Sequence, residues 1–317
     1  MSHLIRLLQR FLLLAILVFA GAFCWLYRDT LAETARLTPW QWLWVLLGYL
    51  GCNWLNALMA CQVQWQRGTR PGLMEMLVIN AYASILGYAT VLRAGFYSGK
   101  LWFYQQRYGL SASTSLGLQG WVSLQVLAGN ALFGLVFGLW LQLGRHMQLS
   151  WVHWLLVLGT LLVVVAVVLM LFVLAEQRWL PAAVLRWLGN IKAVIVATSW
   201  REILQLNCET MLSIPLQALA MGVLFAAFGL PVPVPYLLLM AVVANLSLIL
   251  ALTPSNLGIR ELVLWQLLAN MELPKVQLVA VLMVDRLIQF VILVVISALG
   301  YRLLHKRPMP RNEPGNL

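Results

Sequence analysis

Residues 252–261 read Leu-Thr-Pro-Ser-Asn-Leu-Gly-Ile-Arg-Glu, and they interrupt two apolar stretches, Tyr236 to Leu252 and Ile259 to Leu268. Pro254 and Gly258 break any helix that enters this run. In hydrocarbon, irregular backbone survives only where it is buried in protein or lines a wet cavity. The break leaves unpaired backbone N–H groups at the start of the half-helix that follows, and a helix N-terminus is a ready anion site. Arg260 adds a positive charge in its first turn, and Ser255 and Asn256 add donors.

Composition sets the surroundings of that break. The chain has 317 residues, 62% hydrophobic and only 10% charged, with a mean hydropathy of +0.86. A water-soluble core of this size neither requires nor tolerates so much apolar sequence. Stretches long enough to cross hydrocarbon run from Leu8 to Tyr27, Trp40 to Ala60, Leu116 to Leu143, Trp151 to Ala175, Met211 to Gly229 and Val276 to Gly300. The first reads as a retained span, because Cys24-Trp25-Leu26-Tyr27 is no small-residue cleavage site. Trp40, Trp42, Trp44, Trp151, Trp154, Trp179 and Trp187 lie near span ends, as an interfacial belt requires.

The net charge of +11 does not imply nucleic acid, because most of the 21 basic residues fall in short connections between spans. They do constrain topology. Eight plain crossings from a cytoplasmic N-terminus would place Arg178, Arg186, Lys192 and Arg201 outside, against the positive-inside rule. If Leu73 to about Tyr108 and Tyr236 to about Met271 are instead re-entrant hairpins, thirteen basic residues are cytoplasmic and four external. Arg93, Lys100, Arg260 and Arg286 are then left at membrane depth. The expected fold is all-α: a polytopic membrane protein of about six full spans plus two opposed re-entrant helical hairpins.

Under that assignment, residues 40–143 and 205–300 each become a span-hairpin-span unit, of opposite orientation. Such an inverted repeat is a common build of secondary transporters. Residues 1–304 form a single membrane domain, with an interfacial helix near 177–201 between the halves, and 305–317 form a disordered cytoplasmic tail. The expected location is a bacterial inner membrane with both termini cytoplasmic.

Ionisable groups inside hydrocarbon need partners. Glu261 and the adjacent Asp285-Arg286 pair are such groups, and Glu261 with Arg286 is the expected pairing. Two readings stand: a structural cluster that locks the hairpin to its neighbour, or an anion site in which Glu261 and Asp285 balance charge or carry a proton. The first hairpin offers a second glycine-rich break, Gly87-Tyr-Ala-Thr-Val-Leu-Arg93-Ala-Gly95-Phe-Tyr-Ser-Gly99-Lys100. If the two tips meet, Arg93, Lys100, Arg260 and Arg286 surround an anionic guest, and arginine suits phosphate. Alternatively, Arg93 and Lys100 snorkel toward headgroups.

Asn53, Asn56, Asn80, Asn130 and Asn245 read chiefly as interhelical hydrogen-bond partners. Cys24, Cys52, Cys61 and Cys208 lack CxxC spacing, and His3, His146, His153 and His305 lie at expected ends or loops. No metal set, cofactor motif, nucleotide loop or hydrolase signature stands out.

The run 252–261, followed by an amphipathic half-helix, Leu273-Pro274 and then Asp285-Arg286-Leu287, resembles the C-terminal signature of the lysylphosphatidylglycerol synthase transmembrane-region family. Pro254, Gly258, Glu261 and Arg286 match in order and spacing. Arg93 with Gly95, then Tyr108-Gly109-Leu110-Ser111, resembles its N-terminal signature, and the likeness covers roughly residues 10 to 300. Two departures stand out: Asn256-Leu257 where a second glycine is usual, and Phe96 where an acidic residue often follows Gly95, with Lys100 about one position off the usual cation.

The resemblance implies a flippase-like domain that handles anionic or isoprenoid-linked lipids. It does not imply lysyl transfer, which in bifunctional members belongs to a separate soluble domain for which no room is left before Leu317. The expected function is translocation of an anionic or polyprenyl-phosphate-linked lipid, without catalytic residues and without a cofactor. Arg260, Arg286, Arg93, Lys100, Ser255 and Asn256 would hold the phosphate, and Pro254, Gly258 and Gly95 would shape the hairpins. Membrane lipids are the expected partners, nucleic acid is not, and a homo-oligomer is left open. The rivals are an enzyme or membrane subunit of lipid-linked glycosyl transfer and a scaffold that moves nothing.

Overall fold

The computed structural model describes Trp25, Arg28 and residues 37–65, 68–88, 90, 93–144, 149, 151–176, 181–247, 256, 259–268, 271 and 273–305. The expected first span, the expected tail beyond His305, and Pro254, Ser255 and Gly258 lie outside the described residues.

Ten helices are described: α1 Pro39–Trp65, α2 Leu73–Tyr88, α3 Ala94–Tyr108, α4 Ala112–Leu143, α5 Trp151–Leu174, α6 Ala182–Val196, α7 Trp200–Ala227, α8 Val234–Leu246, α9 Ile259–Leu267 and α10 Lys275–His305. The fold is all-α among the described residues. Five helices, α1, α4, α5, α7 and the Gln277–Gly300 stretch of α10, are long and apolar enough to cross a membrane. They correspond to five of the six spans expected from sequence. The apolar helices α2 and α8 are shorter, and α3 and α9 complete the two interrupted segments.

Lipid, not water, is the solvent this surface fits. Helix α5 has a mean hydropathy of 3.2, yet only 17% of its apolar stretch is buried. Leu155, Leu158, Leu162, Leu169, Met170 and Val173 all face outward, a continuous apolar face that a soluble monomer does not carry. Trp40, Trp140, Trp151 and Trp200 are exposed at helix ends. The interfacial reading of 177–201 needs a boundary correction. Helix α6 ends at Val196, and α7 begins at Trp200 because Ser199 and Glu202 form a capping box. The polar turns 200–210 therefore belong to a long helix that the hydropathy pattern starts only at Met211.

The packing pattern has an internal regularity. Helix α1 packs most extensively on α7. Helix α2 packs on α10, as α8 packs on α4; α2 meets α3 as α8 meets α9; and α3 meets α4 as α9 meets α10. Exchanging α1–α4 for α7–α10 leaves this set of contacts unchanged. The α1–α7 seam is tight: a Cβ on Gly48 would lie 2.6 Å from the Leu216 carbonyl oxygen and 2.8 Å from the Ala220 Cβ. Helix α8 is enclosed, with Leu239, Met240, Ala241, Val242 and Leu246 fully buried in the main apolar core. Ser247 and Asn256, the described residues at the second break, are buried, as irregular backbone at membrane depth requires.

Candidate functional site

Two adjacent residues at the start of α9 pair with two adjacent residues midway along α10. Arg260 Nη2 donates to Asp285 Oδ2 at 3.0 Å, and Arg286 Nε donates to Glu261 Oε1 at 3.1 Å. All four side chains are buried. The expected Glu261–Arg286 pairing is thus present, joined by a reciprocal pair. Asp285 accepts two further hydrogen bonds. The Tyr49 hydroxyl of α1 donates to Oδ1, and Gln289, one turn along α10, donates to Oδ2 at 2.9 Å. Neither Tyr49 nor Gln289 stood out in the sequence. The (i, i+4) spacing of Asp285 and Gln289 is the one signal that could have found the latter.

The two arginines of the quartet, Arg260 and Arg286, line a cavity of about 180 Å³, well above the roughly 10–15 Å³ that one water needs. Both halves of the chain contribute to it. Tyr49, Asn53 and Asn56 come from α1 and Ser84, Gly87 and Tyr88 from α2; Gln217, Asn245, Arg260, Arg286 and Gln289 come from α7 to α10. Arg93 and Asn256 line it from the two breaks. Asn245 also donates to Asn130 of α4 at 3.0 Å, the interhelical role expected of it, whereas Asn53 bonds back to the Tyr49 carbonyl of its own helix.

Arg93 and Asn256 share a further property. They are the two non-glycine residues with positive φ among the described residues, at 54° and 57°. This left-handed conformation costs an ordinary residue about 1–2 kcal/mol, and asparagine tolerates it better than most. Asn256 occupies the place where the resemblance expects a second glycine, and its backbone does what a glycine would do. Its amide donates to the Ser247 carbonyl at 2.8 Å and hydroxyl at 3.1 Å, tying the break to the end of α8. At the first break, Gly95 is fixed by close approach: a Cβ there would lie 2.2 Å from the Leu86 carbonyl oxygen. Thr90 Oγ1 accepts from the Gly95 N–H at 2.7 Å.

The four expected cations do not all converge. Arg93, Arg260 and Arg286 line the central cavity. Lys100 does not. It lies two turns along α3 and lines a separate cavity with Gln64 and Gln119. Phe96, the residue that replaces an acid in the family pattern, sits beside both cations. Arg93 Cζ is 4.5 Å and Lys100 Nζ 4.4 Å from its ring centre.

The cavity's electrostatics are lopsided. Three guanidinium groups face it, backed by the two carboxylates of Asp285 and Glu261. Arg93 has no carboxylate within ion-pair distance among the described residues. Arg260 Nε and Arg286 Nη2 are buried and lack a hydrogen-bond partner among the described residues. An unpaired buried donor on a charged group costs well over 1 kcal/mol, so the arrangement favours an acceptor in the cavity.

No curated protein matches the chain. A family model does, over residues 12–297, and this match takes in both breaks, the paired quartet and every helix that lines the cavity. The chain is therefore an integral membrane protein that belongs to the lysylphosphatidylglycerol synthase TM region family.

Proposed function

We propose that the central cavity binds the phosphate of an anionic lipid headgroup and lets that lipid cross between leaflets. The observation that carries this reading is the convergence of Arg93, Arg260 and Arg286 on one cavity, with N–H groups on the latter two that have no partner among the described residues. Guanidinium forks match phosphate oxygens in geometry. Three guanidinium groups against the two carboxylates paired behind them leave one net positive charge, which suits a singly charged phosphodiester; a polyprenyl phosphate is the alternative guest. Membership of a family tied by name to a phospholipid supports a lipid guest.

The exchange-invariant packing supports two hairpins that enter from opposite faces, with the cavity where their tips meet. The excess of basic residues in the connections expected to be cytoplasmic supports cytoplasmic termini. A purely structural quartet is the weaker reading. Buried ion pairs add little stability over apolar replacements, and a locking cluster gives no reason for a third arginine that has no acid beside it among the described residues.

The test is headgroup translocation in proteoliposomes, with fluorescent phosphatidylglycerol, phosphatidylcholine and a polyprenyl phosphate as probes. The wild type is compared with a variant neutralised as Arg260→Met, Glu261→Gln, Asp285→Asn and Arg286→Met, which removes both members of each ion pair. Movement of an anionic probe by the wild type, lost in a folded neutral variant, is the expected result. A wild type that moves none of the probes, or a neutral variant equal to it, overturns the proposal.

A further inference from the structure

Glu209 is a carboxylate that the central site does not use. It lies about 14 Å of helix rise into α7, past Trp200, Arg201 and Gln205, which are exposed. Glu209 itself is only 9% exposed. Gln62 of α1, buried to the same extent, donates to its Oε1. Its Oε2 is buried and has no hydrogen-bond partner among the described residues. Gln205, one turn earlier on α7, lies beside the carboxyl group.

No cation answers this charge. The helices that pack most on α7 are α1, α4, α8 and α10. The first three contain no Asp, Glu, Lys, Arg or His, and their titratable side chains are Tyr49, Cys52, Cys61 and Tyr236. Helix α10 carries Lys275, Asp285, Arg286, Tyr301, Arg302 and His305, of which Asp285 and Arg286 are held in the central quartet. On α7 itself the titratable neighbours in sequence are Arg201, Glu202 and Cys208. No ion pair reaches Glu209 among the described residues. An ionised carboxylate enclosed in this way is costly, and a proton removes most of that cost. A metal cation suits the place poorly, because Gln62 turns an N–H group toward the carboxyl oxygen.

The position gives such a proton a consequence. The α1–α7 seam joins the two halves of the chain, so any rocking of one half against the other opens or closes the surroundings of Glu209. Glu209, Ser213 and Gln217 recur every four residues and share one face of α7. Gln217 lines the central cavity, about 12 Å of helix rise from Glu209. Between them Cys52 of α1 donates to the Ser213 carbonyl at 3.4 Å. Pro215 leaves the Met211 carbonyl without its helical partner, a weak point between the turns that carry Glu209 and those that carry Gln217.

We propose that Glu209 is a proton-binding site that couples lipid movement to a proton gradient. Its carboxyl group is neutral while the α1–α7 seam is closed around it, with the proton on Oε2 and Oε1 accepting from Gln62. When the halves move and the seam opens, the proton passes to water and the carboxylate is left hydrated. Proton binding is thereby linked to the state of the central cavity. The coupling rests on the lipid movement proposed above; the protonation of Glu209 does not.

Infrared spectroscopy of the purified full chain in detergent tests the site, and proteoliposomes test the coupling. The wild type is expected to show a protonated-carboxyl C=O band that Glu209→Gln lacks and that the Glu261→Gln/Asp285→Asn/Arg260→Met/Arg286→Met variant keeps. Gln62→Leu takes a hydrogen bond from that carbonyl and is expected to move the band to higher frequency, which decides the assignment should Glu209→Gln fail to fold. In vesicles with the membrane potential clamped, a gradient of one pH unit is expected to skew the leaflet distribution of fluorescent phosphatidylglycerol by about tenfold for one proton per lipid. Glu209→Gln is expected to give no skew, and Glu209→Asp to restore it. A band unchanged in both Glu209→Gln and Gln62→Leu would overturn the site. A wild type that moves the probe without responding to pH, or that follows a sodium gradient instead, would overturn the coupling and leave the lipid proposal standing. A wild type that moves no probe would overturn both, while the band still reports the proton on Glu209.

Discussion

Asn256 shows how a residue can depart from a pattern and still perform it. In sequence it reads as a hydrogen-bond donor at a break that ought to carry glycine. In the structure its φ of 57° supplies the left-handed turn, and its side chain ties that turn to Ser247. Asn256→Gly should therefore keep the backbone and lose only the tie, whereas Asn256→Ala loses both and adds strain. We expect alanine to cost about 1–2 kcal/mol more than glycine, read as the difference in thermal or denaturant unfolding of the detergent-solubilised protein. Lys100 illustrates the opposite case. Its position seven residues after Arg93 places both on one hairpin, but helix geometry sends them to different cavities, which residue counting across an unformed break does not disclose.

The helices show why some boundaries were legible and others were not. Helices at 73–88 and 94–108 fall within the expected segment 73–108, with Gly95 in the first turn of the second and Gly109 at its end. Hydropathy starts α7 only at Met211 because Trp200-Arg-Glu-Ile-Leu-Gln-Leu-Asn-Cys-Glu-Thr210 is polar, and hydropathy does not register a capping box. Glu209, in that polar stretch, is a buried carboxylate that accepts a hydrogen bond from Gln62 of α1. Two predictions belong here. Gly95→Ala forces a methyl into the Leu86 carbonyl, so its melting temperature should fall by several degrees, matching a loss of about 1–3 kcal/mol. At the α9–α10 contact, Glu261→Gln and Arg286→Met should each destabilise strongly by leaving a buried charge, and the double variant should recover most of the loss. A double-mutant cycle should give a coupling of about 3 kcal/mol; additive effects would show that the pair is not coupled.

Across the whole molecule, composition and family signature together made the class legible: an all-α membrane protein with two interrupted segments. Sequence similarity between halves was too weak to reveal how they pack. That becomes visible only when α2 is found against α10 and α8 against α4. If the hairpins enter from opposite faces, a cysteine at Ser111, after α3, and one at Val234, before α8, are reached from opposite sides. In a background without the native cysteines, an impermeant thiol reagent applied to intact cells should label Val234→Cys and spare Ser111→Cys, and inside-out vesicles should reverse this. Labelling of both from one side contradicts the inverted arrangement.

The central claim is that an unbalanced guanidinium in the shared cavity holds a lipid phosphate. Arg93 tests it most directly, because removing it orphans no carboxylate of the described residues and leaves the paired quartet intact. The measurement is the initial rate of phosphatidylglycerol headgroup translocation in proteoliposomes by Arg93→Met against the wild type, at matched reconstitution and with monodisperse protein. Loss of one charged hydrogen-bond donor to the transported group, worth about 1.5–3 kcal/mol, predicts a rate at least about tenfold lower at limiting lipid. A folded Arg93→Met that translocates at the wild-type rate would contradict the account.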